Sequence, residues 1–327
     1  MPSCNTTHKS TQLKVQDMLD RIKALLIINP NSRRGAEADI TEGIEILESA
    51  GFDLVKTESK SAEHTVELID QHYKEIEMVI IGGGDGSINS AADAVYRRKL
   101  TLAILPLGTA NDLARSLGLP KDLLEVFKII STRKCRKIDL GSFNGRYFFN
   151  AANIGLGTGV TRELTPEIKK RWGVLSYLRA AFAAFKNNRA FRATIIVDGT
   201  QHCVRSIQLA IGNGRFYGGG NVIDESAVID DGVLKLYSLP PQSMWELLRV
   251  APWLRAGKQR QLQRTFTAVG RRIEISTLPN REIYADGEYA GNTPSIFEII
   301  PQAINVVYED PAGPAESVDV EDIKQQH

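Results

Sequence analysis

The sequence predicts two joined domains: an α/β domain built on a parallel sheet, then a β-sandwich-like domain. Three observations carry this. Between residues 23 and 120 short apolar runs alternate with segments of helical spacing, the pattern of a parallel sheet with helices on both faces. From about residue 133 the texture changes to short β-rich runs punctuated by Asn-Gly and Asp-Gly, which mark antiparallel hairpins. A length of 327 residues also exceeds what one small core organises.

Residues 1–20 are polar and follow no period, and are expected to be a flexible extension. The α/β domain is placed at 21–132. "KALLIINP" is a buried strand stopped by Asn-Pro, and "AEADITEGIEILESAG" spaces Ile40, Ile44 and Leu47 as a helix closed by Gly51. There follow the strand "FDLVKT", the helix "AEHTVELIDQHY", the strand "EMVIIGGGDG" and the helix "SINSAADAVYR". The strand "LTLAILPLG" and the helix "ANDLARSLGLP", ended by Gly118 and Pro120, complete it. The segments rich in Gly, Asn or Asp ("NPNS", "GGGDG", "PLGTAND") all fall at carboxyl ends of strands, where such sheets bind ligands.

The β-rich domain is placed at 133–300, with hairpin turns at Asn144-Gly145 and Asp198-Gly199 and helical insertions near 173–187 and 243–255. Residues 301–310 are expected to return to the first domain, and the acidic stretch 311–327 to be a disordered tail.

Composition excludes several classes. Hydrophobic (43%) and charged (24%) fractions are globular, and a net charge of +1 gives no global attraction to nucleic acid. Cys4, Cys135 and Cys203 are far apart and odd in number, which argues against a disulfide framework or zinc site and fits a reducing cytoplasm. None of the five histidines lies in a glycine-rich motif, which weakens a hydrolase needing a Ser–His pair. The N-terminus has no signal-peptide core, and no apolar run approaches the roughly 20 residues that span a bilayer.

The segment "VIIGGGDGSINSAADAV" (79–95) reads as strand, loop Gly82-Gly83-Gly84-Asp85-Gly86, then helix. Glycines let backbone N–H groups turn toward an anion, and a helix N-terminus adds partial positive charge. An Asp in such a loop makes sense if Mg²⁺ or a substrate proton lies between it and a phosphate. A tight turn capped by Asp85 is the plainer alternative. No Gly-Lys-Ser/Thr follows, so this is not a Walker A loop, and Asp85 and Ser87 break the dinucleotide fingerprint.

With Asn89, "LPLGTANDLARSLGLP", "IDLG", "NIGLGTG", "GNGRFYGGG", "VIDDGVLKL" and "ADGE" following in order, the chain resembles the diacylglycerol kinase catalytic-domain superfamily, and most of all the bacterial YegS-like lipid kinases, over roughly residues 23–310. The fold implied is NAD-kinase/diacylglycerol-kinase-like, Rossmann-like in its first domain. Ser87 stands where the family usually has Thr, and both carry a hydroxyl.

The resemblance implies ATP bound between the domains by Thr57, Gly82, Gly83, Gly84, Asp85, Gly86, Ser87, Ile88 and Thr109. Asn29 and Asn31, at the end of the first strand, are candidates to line the same cleft. Asp85, Asp112 and Asp139 are candidates near Mg²⁺-ATP, and Asp286 for the base that takes the acceptor hydroxyl's proton. Glu288 is a candidate to orient that base or help hold metal, sharing a strand face with it; Asp85 is the alternative base. In "VIDDGVL" the resemblance implies a second, structural Mg²⁺ or Ca²⁺, held by the Asp231 side chain with the carbonyls of Val228 and Val233.

Two stretches, 169–192 and 247–272, each carry seven Lys/Arg and no acidic residue, beside apolar residues and Trp245 and Trp253. Such segments suit an anionic membrane surface. The expected function is thus an ATP- and Mg²⁺-dependent lipid kinase, cytoplasmic and peripheral at the inner face of the membrane. Its acceptor would be diacylglycerol, phosphatidylglycerol or a long-chain base. The alternatives are an NAD kinase-like enzyme and a nucleotide-binding regulator without turnover.

Overall fold

The computed structural model describes residues 21–36, 38–155, 190–242 and 264–309, and a few positions between 246 and 262. The first domain contains β1 (Ile22–Ile28), α1 (Thr41–Ser49), β2 (Phe52–Glu58), α2 (Ala62–His72), β3 (Met78–Gly83), α3 (Asp85–Ser90), α4 (Ala92–Arg98), β4 (Thr101–Pro106), α5 (Asp112–Ser116) and α6 (Leu123–Ser131). Its strands lie in the order β2-β1-β3-β4, all parallel. β1, β3 and β4 read as unbroken apolar runs because both faces are covered. Leu25, Ile27, Val79, Ile81, Leu102 and Ile104 face one buried cluster, while Ala24, Leu26, Met78, Ile80, Ala103 and Leu105 face another. Each buried Ile, Leu or Val contributes about 1.5–3 kcal/mol, so this sheet is a firm base for the loops at its carboxyl edge.

The second domain contains β5 (Cys135–Phe143), β6 (Arg146–Phe148), β7 (Ala151–Gly155), β8 (Phe191–Val197), β9 (Thr200–Ser206) and β10 (Gln208–Gly212). The short pair β11 (Phe216–Tyr217) and β12 (Asn221–Val222) follows. Then come β13 (Leu234–Leu239), β14 (Phe266–Gly270), β15 (Arg272–Leu278), β16 (Glu282–Ala285), β17 (Glu288–Asn292) and β18 (Ser295–Val307). One antiparallel sheet runs β14-β13-β10-β7-β16-β17. It packs on a second layer that includes β15, β8 and β5 through Phe143, Phe148, Phe191 and Phe297, with the Phe143 and Phe297 rings stacked 5.3 Å apart. The Asn144-Gly145 and Asp198-Gly199 hairpins form as expected, each pair with positive φ.

β18 joins the domains. Its first half pairs with β15, its end lies parallel to β4 (Val306 opposite Leu102), and β5 follows it antiparallel along both. The register shifts between Ile300 and Ile304, where Gln302 takes φ 50°. The expected return segment is therefore the far half of one 13-residue strand.

The helix expected at "ANDLARSLGLP" is shorter. Asn111 adopts φ 50° and its Oδ1 accepts the Gly108 N–H, so a turn precedes α5 and Thr109 lies in that turn instead of opening a helix. The expected insertion at 173–187, the extension 1–20 and the tail 311–327 lie outside the described residues. In 243–255 only Glu246, Arg249 and Trp253 are described, all helical.

Candidate active site

Three chain turns meet at the carboxyl edge of the parallel sheet. The turn after β1 is tied to the glycine loop, since Asn29 Nδ2 donates to Ser87 Oγ at 2.8 Å. The glycine loop is tied to the turn after β4, where the Leu107 N–H donates to Gly83 O at 3.0 Å. Between these turns and the start of α2 lies a cavity of about 360 Å³, lined by Asn29, Ser32, Arg33, Ser61, Thr65 and Ser87, by Ala62, Gly84, Gly86 and Gly108, and by Glu288 from the second domain. Ser61 caps α2 by accepting the His64 N–H at 3.1 Å.

The glycines have separate reasons. A Cβ on Gly82 would lie 2.5 Å from Ile28 Cδ1, and one on Gly108 would lie 2.5 Å from the Gly84 Cα. The second contact is backbone against backbone and cannot rotate away. Gly108→Ala is expected to part the two loops and lower kcat/KM by about 10²-fold, with little change in melting temperature, since displacements near 1 Å cost that much in positioning. Unchanged kinetics would remove Gly108 from the site.

Four carboxylates from three segments lie at or beside the cavity: Glu288 lines it, and Asp112 and Asp286 each feel the charge of Asp85, which stands between the lining residues Gly84 and Gly86. Asp85, the first residue of α3, accepts the Leu113 N–H at the start of α5 at 3.3 Å. Burial raises its pKa, against the hydrogen bonds from Leu113, Asp112 and Asn111. Asp112 Oδ2 accepts the Gly219 N–H at 2.9 Å, which pins the glycine-rich 218–220 turn of the second domain. Burial raises the Asp112 pKa, and the charge of Asp85 raises it further. Its Oδ1 is buried with no hydrogen-bond partner among the described residues.

Asp286, at φ 46° in the turn between β16 and β17, points its carboxylate back at the end of β6. Oδ2 accepts the Phe149 N–H at 2.8 Å, and Oδ1 accepts those of Asn150 and Ala151 at 3.0 Å each. Burial pushes its pKa up to about 7 despite those bonds, and Asp85 adds to the rise. Glu288 reaches the glycine loop, its Oε1 lying 3.1 Å from where a Gly86 Cβ would stand. Burial raises its pKa first, then the charge of Glu63.

The spacing of Asp286 and Glu288 predicts a shared strand face, and the structure does not give them one. Asp286-Gly287 is the hairpin turn itself, and Ala285 pairs with Glu288 across it, so the two carboxylates diverge. Of the residues expected at the nucleotide, Asn29, Gly84, Gly86 and Ser87 line the cavity; Asn31, Thr57, Gly82, Gly83, Ile88 and Thr109 are not among its lining. Gly82 and Gly83 end β3 beneath it, and Ile88 is buried in the core.

Asp139 is placed elsewhere. It is buried, its Oδ1 accepts the Gln302 N–H at 2.8 Å and its Oδ2 the Gly232 N–H at 2.6 Å. It fastens the irregularity in β18 and is not gathered at the cavity. The loop expected to hold a structural ion is organised differently too. The N–H groups of Val228 and Val233 donate to the Asp231 carboxylate, and the Lys235 ammonium pairs with it. This donor set does not fit a divalent cation, which would have to displace the ammonium. The Asp85–Asp112 pair does fit one: a buried acceptor without a partner beside a second carboxylate supplies the one or two carboxylates that Mg²⁺ takes alongside water and phosphate. No group of three or more His, Cys, Asp or Glu placed so as to hold one metal ion occurs among the described residues.

Two family descriptions match nearly the whole described chain. Residues 23–143 match the diacylglycerol kinase catalytic domain, and 152–308 match the YegS C-terminal NAD kinase beta sandwich-like domain. The chain belongs to the YegS-like lipid kinase family. A Pseudomonas aeruginosa protein named "Probable lipid kinase YegS-like" is 30% identical over 294 residues, covering 88% of this chain and 95% of that protein. A Bacillus subtilis diacylglycerol kinase is 27% identical over 304 residues, covering 91% and 99%. A crystal structure of a diacylglycerol kinase from Bacillus anthracis shares the fold, with a TM-score of 0.70 and 22% identity over 90% of this chain and 98% of that one.

As a YegS-like lipid kinase, the chain is a phosphotransferase with an alcohol group as acceptor. Six lining residues of this kinase escaped the sequence reading: Ser32, Arg33, Ser61, Ala62, Thr65 and Gly108. Ser61 before Ala-Glu-His is a legible helix cap at a strand's carboxyl end, and could have been found that way.

The buried Asp286 also sets a pH dependence. Its folded pKa of about 7 lies above the ordinary value of about 4, so the folded state binds the proton more tightly than the unfolded state. Its stabilising contribution is complete below about pH 4 and is lost as pH rises through about 7. Between pH 5 and pH 8 the wild type is therefore expected to lose more melting temperature than Asp286→Asn. Parallel losses in the two proteins would show that Asp286 titrates normally.

Proposed function

We propose that this kinase moves the γ-phosphate of ATP, in an Mg²⁺-dependent reaction, onto a hydroxyl of a membrane lipid: diacylglycerol, phosphatidylglycerol or a long-chain base. The observation that carries the reading is the convergence of Asp85, Asp112 and the Asp286–Glu288 hairpin, three segments far apart in the chain, at the glycine-loop cavity, which Glu288 lines. Asp286 is the proposed base. Its three N–H bonds leave one of four lone-pair positions open, on Oδ2, and a pKa of about 7 suits proton removal near neutral pH. Asp85 and Asp112 would hold Mg²⁺, which supplies charge neutralisation on the phosphates when bound. Asn29, Gly84, Gly86 and Ser87 are the proposed phosphate contacts, and Glu288 bounds the cavity on the acceptor side.

The reading extends to peripheral association with an anionic membrane at the inner face, on the strength of the basic, apolar stretches in the sequence. Among the described residues no helix is long and apolar enough to cross a bilayer. The test is γ-labelled ATP with Mg²⁺, offered each lipid in neutral or anionic vesicles, NAD, or no acceptor. Label in a lipid is expected, and more of it on anionic vesicles. Label in NAD, or tight ATP binding with no transfer to any acceptor, would overturn the proposal.

A further inference from the structure

The turn after β1 is built to hold one side chain in the cavity. The Ser32 N–H and Oγ both bond to Asn29 O, at 3.1 and 2.8 Å, and Asn29 Oδ1 accepts the Asn31 N–H at 2.9 Å. The Gly35 N–H closes on Ser32 O at 3.0 Å, and a Cβ at Gly35 would lie 2.1 Å from Asn29 O, so no other residue fits that closure. The turn is fastened at both flanks: Asn29 bonds Ser87 of the glycine loop, and the Arg34 N–H donates to Leu107 O of the loop after β4, at 3.1 Å. Arg33 sits at the centre of this frame. It lines the cavity with Gly84, Gly86, Ser87 and Gly108, and its side chain is exposed there. No salt bridge among the described residues engages it, and it is the one cation among the described lining residues.

The charge balance gives Arg33 a task. Glu288 lines the cavity, and Asp85, Asp112 and Asp286 lie around it. A nucleotide's phosphate chain entering this field meets like charge, which one divalent ion shared with two carboxylates does not offset. The loop lacks the lysine that a Walker A motif would supply. A guanidinium offers several N–H donors in a planar fork matched to phosphate oxygens, and it is fully charged at any working pH.

We propose that Arg33 binds the phosphate chain of the nucleotide, and that the site's affinity for phosphorylated over unphosphorylated nucleoside depends on it. This inference rests on the nucleotide reading of the cavity. The test is direct binding, without turnover, of a non-hydrolysable ATP analogue, ADP and adenosine to the wild type, Arg33→Gln and Arg33→Lys. Arg33→Gln is expected to weaken the analogue and ADP by about tenfold or more while leaving adenosine unchanged, because a hydrogen bond between charged groups is worth roughly 1.5–3 kcal/mol. Arg33→Lys is expected to fall between, keeping the charge but losing the fork. Added salt should weaken the wild type more steeply than Arg33→Gln. Equal affinities of wild type and Arg33→Gln for the analogue would overturn the proposal, as would an equal loss for adenosine. A wild type that binds none of the three would overturn the reading of the cavity instead.

Discussion

Asp286→Asn is expected to lower turnover by at least about 10²-fold while ATP still binds, because a placed base contributes about 10²- to 10⁴-fold. The substitution keeps the shape and removes the titratable oxygen. Asp286 lies outside the cavity lining, and its bonds go to Phe149, Asn150 and Ala151, so the nucleotide contacts are left in place. The amide cannot repeat all three bonds, since one of its two heavy atoms is a donor facing donors. Some stability is therefore lost, and activity must be measured well below the variant's melting temperature. The pH profile separates the chemical role from the structural one. In the wild type kcat should rise with pH through about 7 as the carboxylate loses its proton, and this limb should vanish in the variant. If the variant turns over slowly but keeps the same limb, Asp286 only shapes the 149–151 segment, and Asp85 becomes the better candidate for the base.

The parts of this site that were legible in the sequence are local. The loop 82–86 could be read because a strand, consecutive glycines and a helix start are neighbours in the chain, and the structure keeps them so. The hairpins at Asn144-Gly145 and Asp198-Gly199 were legible for the same reason. What stayed hidden depends on pairs far apart. Asp139 had the look of a metal ligand on its own loop, but its partners Gly232 and Gln302 lie 93 and 163 residues away. The carboxylate of Asp286 turns toward Phe149, 137 residues away, and only the sandwich register brings them together. The misreading of Glu288 arose differently. Two residues apart in a strand share a face, but Asp-Gly at positive φ makes a turn, and the turn chemistry overrode the strand period. Resemblance supplied the function that composition and spacing left open, because the family's motifs are spread along the chain in order while no single one decides the chemistry.

Asp112→Asn is expected to separate activity from stability in opposite directions. Turnover should fall by about 10²-fold, and the Mg²⁺ concentration for half-maximal activity should rise about tenfold, because the charge that would share the cation with Asp85 is gone. Melting temperature should hold or rise. The Asp112 carboxylate is buried, one oxygen lacks a partner, and Asp85 repels it, so the charge costs folding free energy. Asparagine keeps an acceptor for the Gly219 N–H, so the bond between the first domain and the 218–220 turn survives. The loss of attraction to Arg115 works the other way, but it ranks below the burial and Asp85 contributions. A carboxylate kept in so unfavourable a place is what a cation-binding role requires, since strain of this kind persists where function needs it. The opposite pattern, a lower melting temperature with an unaltered Mg²⁺ requirement, would make Asp112 a clamp between the domains and leave Asp85 as the sole carboxylate for the metal.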